Sequence, residues 1–156
     1  MGTLIHTNDQ ALFNCIACEV NKLAGMYCYY YVFDAANTTR DPLWDEAEEV
    51  VFSYSPDGKK VLCFGVNPEH SLSTGEEGKR TQWDAQLWFA RMHWEQAFGS
   101  AITPKSGDVV NCWGKYYDIV DFDRDGIMDD DRNIFVCWKV SLRRNTKFDP
   151  IRRVVP

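Results

Sequence analysis

Val109-Val110-Asn111-Cys112-Trp113-Gly114-Lys115-Tyr116-Tyr117-Asp118-Ile119-Val120 is the stretch on which the reading of the fold turns. Two apolar runs, rich in β-branched and aromatic residues, flank Gly114-Lys115, a pair that reverses a chain. Val109–Trp113 is read as one strand and Tyr116–Val120 as its antiparallel partner. Upstream, Pro104-Lys105-Ser106-Gly107-Asp108 has turn chemistry and feeds the first strand. Downstream, an Asp-rich loop leads to a further strand, Asn133–Leu142. These strands make an antiparallel meander, which curls into a small barrel once earlier strands join it.

Working toward the N-terminus, Trp83–Phe98 fits both a helical face (Trp83, Leu87, Ala90, Trp94, Ala97) and an alternating strand. It is read as a strand over Ala85–Met92 and a short helix over His93–Phe98, ended by Gly99. Segment 67–82 carries Pro68, Gly75 and Gly78 and reads as a long loop. Val50–Tyr54 and Lys60–Val66 flank Ser55-Pro56-Asp57-Gly58, which predicts a hairpin. Asp45–Glu49 is expected to form one helical turn, after a loop at Asn37–Pro42. Met26–Phe33 is a strand apolar on both faces, so both faces should be covered, one of them by a neighbouring subunit. Leu12, Ile16, Val20 and Leu23 recur at spacings of three and four between capping residues at Thr7–Asp9 and Gly25, which predicts a helix. The expectation is a single domain of α+β class, mainly β. It has a helix at 9–24, a β-rich core at 26–142 forming a small antiparallel barrel or meander with the extended loop, and a basic extended tail at 143–156.

At 156 residues, 45 % hydrophobic and 26 % charged, the chain has a globular composition, which argues against disorder and low-complexity repeats. No apolar run reaches the ~20 residues that span a bilayer. Met1–Gln10 lacks the basic and apolar regions of a signal peptide, so a cytoplasmic location is expected. Aromatic residues reach 14 %, enough to suggest that a partner buries some of them. The net charge of −6 argues against duplex reading. The charge is also segregated. Asp41–Asp57 holds six acids and no base, whereas Lys139–Pro156 holds six bases and one acid, a polarity suited to docking.

The chemistry-bearing motifs are few. Asp121-Phe122-Asp123-Arg124-Asp125-Gly126-Ile127-Met128-Asp129 places acids at positions 1, 3, 5 and 9 of a calcium loop, glycine at 6 and the Ile127 carbonyl at 7. Arg132 stands where an EF-hand has its bidentate Glu. A calcium site in a β-loop, with Asp121, Asp123, Asp125, Ile127 and Asp129 as ligands, and a solvated acidic turn are both open readings. Cys15-x-x-Cys18 is half a zinc site, a redox pair or two free thiols. His6, His70 and His93 are scattered, and no nucleophile elbow, zincin motif or phosphate loop is present, so no enzymatic activity is expected.

In order along the chain, several stretches resemble the neck proteins of contractile-tail bacteriophages. They are Cys28-Tyr29-Tyr30-Tyr31 after the helix, Asp41-Pro42-Leu43-Trp44-Asp45-Glu46-Ala47, Phe64-Gly65, Ala85–Phe98, Pro104–Val110, Gly114–Val120 and Phe135–Leu142. The Asp-rich 121–131 segment departs from that pattern. The resemblance implies a virion protein assembled in the host cytoplasm, forming a hexameric or dodecameric ring between head and tail. Such a ring contacts the portal or adaptor protein and the tail-terminator protein, closes the filled head and passes DNA without reading its sequence. Tyr29 and Tyr31 become candidate lateral contacts. Arg143, Arg144, Arg152 and Arg153 become candidate partners for an acidic face of the next subunit at Glu46–Glu49, and loop 67–82 either a contact to the neighbouring ring or a gate of the channel. The alternative is a calcium-binding β-module built on residues 121–131.

Overall fold

The computed structural model describes residues 7–45, 47–54, 57–66, 84–129 and 132–148. Its central reversal lies at Trp113-Gly114, where both residues take positive φ (51° and 71°) and join β6 (Val109–Cys112) to β7 (Lys115–Asp129). That is the left-handed two-residue turn whose twist suits an antiparallel pair, with Cys112 opposite Lys115. The turn sits one residue earlier than Gly114-Lys115.

Four more strands complete the barrel: β1 (Met26–Tyr31), β4 (Lys59–Val66), β5 (Ala85–Ala90) and β8 (Arg132–Arg144). The order β1-β4-β5-β8-β7-β6 closes through β1 and β6, with Tyr31 opposite Val109. Every pairing is antiparallel. The expected α+β, mainly β, barrel with an N-terminal helix is therefore the architecture found. Alternate residues point inward, as period-two strands require. Cys28, Tyr30, Val61, Cys63, Leu87, Phe89, Val110, Cys112, Tyr117, Val140 and Leu142 make the core. Helix α2 (Arg91–Phe98) adds Trp94 and Phe98, whose rings meet Tyr30 edge-on at 5.0 and 5.3 Å. Each such buried aromatic stabilises the fold by roughly 2–3 kcal/mol.

A second, smaller core forms where the chain leaves the barrel. Tyr31, Phe52, Val109 and Phe148 are buried together, with Phe33, Val50 and Tyr116 around them. Val50–Tyr54 does not form the expected hairpin with β4, whose two edges are taken by β1 and β5. It runs instead beside the end of β1. The Asp34 N–H donates to the Val51 carbonyl at 2.9 Å, and the Ser53 N–H to the Val32 carbonyl at 2.8 Å. The excursion between them carries a two-stranded sheet, β2 (Thr39–Arg40) with β3 (Ala47–Glu49), in place of the expected helical turn.

Three further expectations change. The Asp-rich segment is strand rather than loop: β7 runs on to Asp129 and pairs with β8 along its length, interrupted by irregularities at Ile119/Asp121 and Asp125/Gly126. The strand after the loop ends at Ala90, and α2 begins two residues earlier than expected, at Arg91. The tail does not leave at Arg143. β8 continues to Arg144, and the Asn145 carboxamide then accepts the Lys147 and Phe148 N–H groups, both at 2.9 Å, turning Phe148 into the second core. Loop 67–82, Glu46, Ser55-Pro56, Arg152 and Arg153 lie outside the described residues.

Candidate assembly surfaces

Helix α1 (Thr7–Ala24) contributes the first surface. Its length and its Gly25 cap follow the sequence pattern, with the Gly25 N–H closing on the Asn21 carbonyl at 2.9 Å. Its orientation does not. Cys18 and Asn21 are the residues buried against the body, whereas Leu12, Ile16, Val20 and Leu23 are exposed, Leu23 at 87 %. The apolar stripe thus faces outward. Tyr27 and Tyr29, the outward residues of β1, are exposed as well. Tyr31, expected at a subunit contact, is buried at 2 % within its own chain. Its ring lies 5.2 Å from that of Phe148, so it is a core residue.

The second surface is a projecting finger. β2 and β3 hold Asp41–Asp45 between them, and the Asp45 N–H donates to the Asp41 carbonyl at 2.9 Å. The Asp41 carboxylate accepts the Leu43 N–H at 2.7 Å. At the finger's root the Asp34 side chain accepts the Ala36 and Asn37 N–H groups and the Asn37 amide, the last at 2.7 Å. The Asn37 hydrogen bond holds the Asp34 carboxyl below its ordinary range. This ordered scaffold leaves Leu43 84 % and Trp44 77 % exposed, flanked by Asp41 and Asp45. In the sequence the pair shows only as two large apolar residues inside an acidic run; their exposure is a property of the fold. The side chain of Glu49, on β3, lies outside the described residues.

The third surface is a cleft of about 450 Å³ between α1, β1, β4 and α2. Lys22, Lys59 and Lys60 line it together with Tyr27, Leu62, His93 and Ala97. The Lys60 ammonium sits 4.2 Å from the Tyr27 ring centroid. Lys22 pairs with Glu19 at 2.8 Å, an exposed contact of small energetic value. Burial, and then the charge of Lys22, push the His93 imidazole below its ordinary pKa.

Along the acidic strand, the described carboxylates are engaged by neighbouring backbone N–H groups. The Asp121, Asp123 and Asp125 carboxylates accept the N–H groups of Phe122 (2.9 Å), Arg124 (2.7 Å) and Gly126 (2.9 Å), the residues that follow each of them. Asp125 also accepts the Trp88 indole N–H at 3.0 Å. An extended strand separates residues i and i+2 by roughly 6–7 Å, so alternate acids do not wrap one cation as a sharply turned loop does. Among the described residues no three His, Cys, Asp or Glu side chains gather as a metal-holding group. The side chains of Ile127 and Asp129 lie outside the described residues. Beside this strand, Arg91 and Arg124 stack on Phe135 at 5.3 and 5.2 Å.

All six cysteines are free, with Cys15 exposed and Cys18 buried. Arg143 and Arg144 are exposed at the end of β8, where the Arg144 N–H donates to Asp84 at 2.7 Å. Among the described residues no helix is long and apolar enough to cross a membrane. Compared with known proteins, the chain matches no family model, no curated protein and no solved structure.

Proposed function

We propose that this chain is a structural subunit of a bacteriophage neck. Copies associate laterally into a ring between the portal or adaptor and the tail terminator, closing the filled head and giving the tail its platform. The observation that carries this reading is the outward-facing apolar stripe of α1, a row of four large side chains that a lone subunit leaves in water. A second copy covers it. Within the barrel each strand has a partner on both sides, while β7 beyond Asp118 is paired with β8 alone, so on this reading association runs through side-chain surfaces, that edge and the finger. The excess of acids over bases suits a channel through which DNA must slide, because lysine and arginine contacts to phosphate drive nonspecific binding. On this reading the chain has no catalytic role, and the ordered resemblance to neck proteins supplies its place in the virion.

The test is genetic. Particles made without the chain should accumulate as DNA-filled heads that leak, alongside unattached tails, and the wild-type gene supplied in trans should restore tailed particles. Infectious tailed particles assembled in its absence would overturn the proposal.

A further inference from the structure

The finger carries acids beside an exposed apolar pair, and the cleft carries lysines around an apolar floor. The finger presents an indole and a leucine between two carboxylates, that of Asp45 lying 3.4 Å from Arg40; the cleft has an aromatic and aliphatic floor lined by three lysines, of which Lys22 also meets Glu19. We propose that the Asp41–Asp45 finger of one copy seats in the Lys22–Lys59–Lys60 cleft of the next, with Trp44 entering it and Asp41 and Asp45 meeting the lysines. This inference rests on the ring reading above and names its lateral contact.

Three observations carry it. First, Leu43 and Trp44 are among the most exposed large apolar residues described, on a scaffold that already holds them in place. An exposed tryptophan on a preorganised support is the usual anchor of an interface, since little ordering entropy remains to be lost on docking. Second, the cleft volume of about 450 Å³ falls within the ~300–1,000 Å³ typical of clefts that receive a compact group. Third, plug and socket are different patches on one chain, and Trp44 is not seated in its own cleft. Such a contact is heterologous. It propagates head to tail and closes into a ring when the rotation per copy divides a full turn. Lys22 joins the socket to α1, so the exposed stripe borders the same neighbour.

The experiment uses three full-length proteins: wild type, Trp44→Ser, and Lys59→Glu with Lys60→Glu. Each is followed by analytical ultracentrifugation and by thermal melting. Wild type is expected to form rings. Each variant is expected to be monomeric and to melt cooperatively as the dissociated wild-type chain does, because Trp44 and Lys60 are exposed and Lys59 is half-buried. Mixing the two variants is expected to give a one-to-one heterodimer, since the intact plug of the lysine variant meets the intact socket of Trp44→Ser and no further copy can add. If the lysine variant does not fold, Lys22→Glu takes its place. Rings that persist in both variants, or variants that stay monomeric when mixed, would overturn the contact while leaving the ring reading in place. Wild type that stays monomeric at every concentration would overturn both.

Discussion

Asp108 shows how much a single residue organises. It is 1 % exposed, and its carboxylate receives the Tyr30 hydroxyl at 2.6 Å, the Phe33 N–H at 2.9 Å and the Lys105 N–H at 3.2 Å. It ties the turn before β6 to the end of β1, where the chain departs toward the finger. Burial raises its pKa, and the hydrogen bond from Tyr30 works against that rise. Replacing Asp108 with Ala should cost about 3 kcal/mol, and Tyr30→Phe roughly 1–2 kcal/mol, both read from urea midpoints. Equal, negligible losses would show that the cluster is not structural. The buried thiols set the pH dependence. Burial raises Cys18, Cys28 and Cys112, and raises Cys137 to about 11. A raised folded-state pKa means that the native chain keeps protons the unfolded chain releases. The stabilisation is complete below the unfolded thiol value of ~8.5 and declines as pH rises beyond it. The urea midpoint should therefore fall between pH ~8.5 and ~11 under reducing conditions; a constant midpoint would contradict this.

Among the elements, α1 separates what periodicity tells from what it leaves open. The spacing of Leu12, Ile16, Val20 and Leu23 located the helix, and Gly25 located its end. Periodicity identifies an apolar face but not the body that covers it, and here the chain packs the Cys18–Asn21 side inward. Ile16→Ser with Val20→Ser should shift monomer stability by no more than about 0.5 kcal/mol yet abolish ring formation. A large loss of monomer stability would return the stripe to the core. Gly25→Ala tests the other side of the helix. A Cβ there would fall against the Asn21 carbonyl and 2.8 Å from the Cys63 carbonyl, both backbone atoms, so the melt should report a loss of roughly 1–3 kcal/mol. In β7, alternate acids satisfy the first half of a calcium loop and also the period of a strand. Pairing with β8 selects the strand, and for Asp121, Asp123 and Asp125 the partners Ser141, Lys139 and Cys137 lie far along the sequence. Val50–Tyr54 shows the same limit: its apolar run announced a strand-like segment, but its partner is Phe33 rather than β4. Trp44 was legible only as an aromatic within an acidic segment, because exposure is a property of the folded chain.

For the whole molecule, the account is a closed barrel that keeps its shape while its finger, cleft and helix engage neighbours. Charge-assisted docking predicts salt sensitivity: raising salt from ~0.05 M to ~0.5 M should weaken assembly without lowering the monomer melting temperature. Assembly that strengthens with salt would assign the contact to apolar burial alone. A melting temperature that rises with millimolar calcium would support the alternative calcium-binding module at 121–131, since a ligand of the native state stabilises it. The central claim, a subunit of the neck, is tested most directly by quantitative mass spectrometry of purified phage particles with the portal protein as internal standard. The account predicts the chain at a fixed small stoichiometry, one hexameric or dodecameric ring per portal. Absence from intact particles, or a copy number that varies from one preparation to the next, would contradict it.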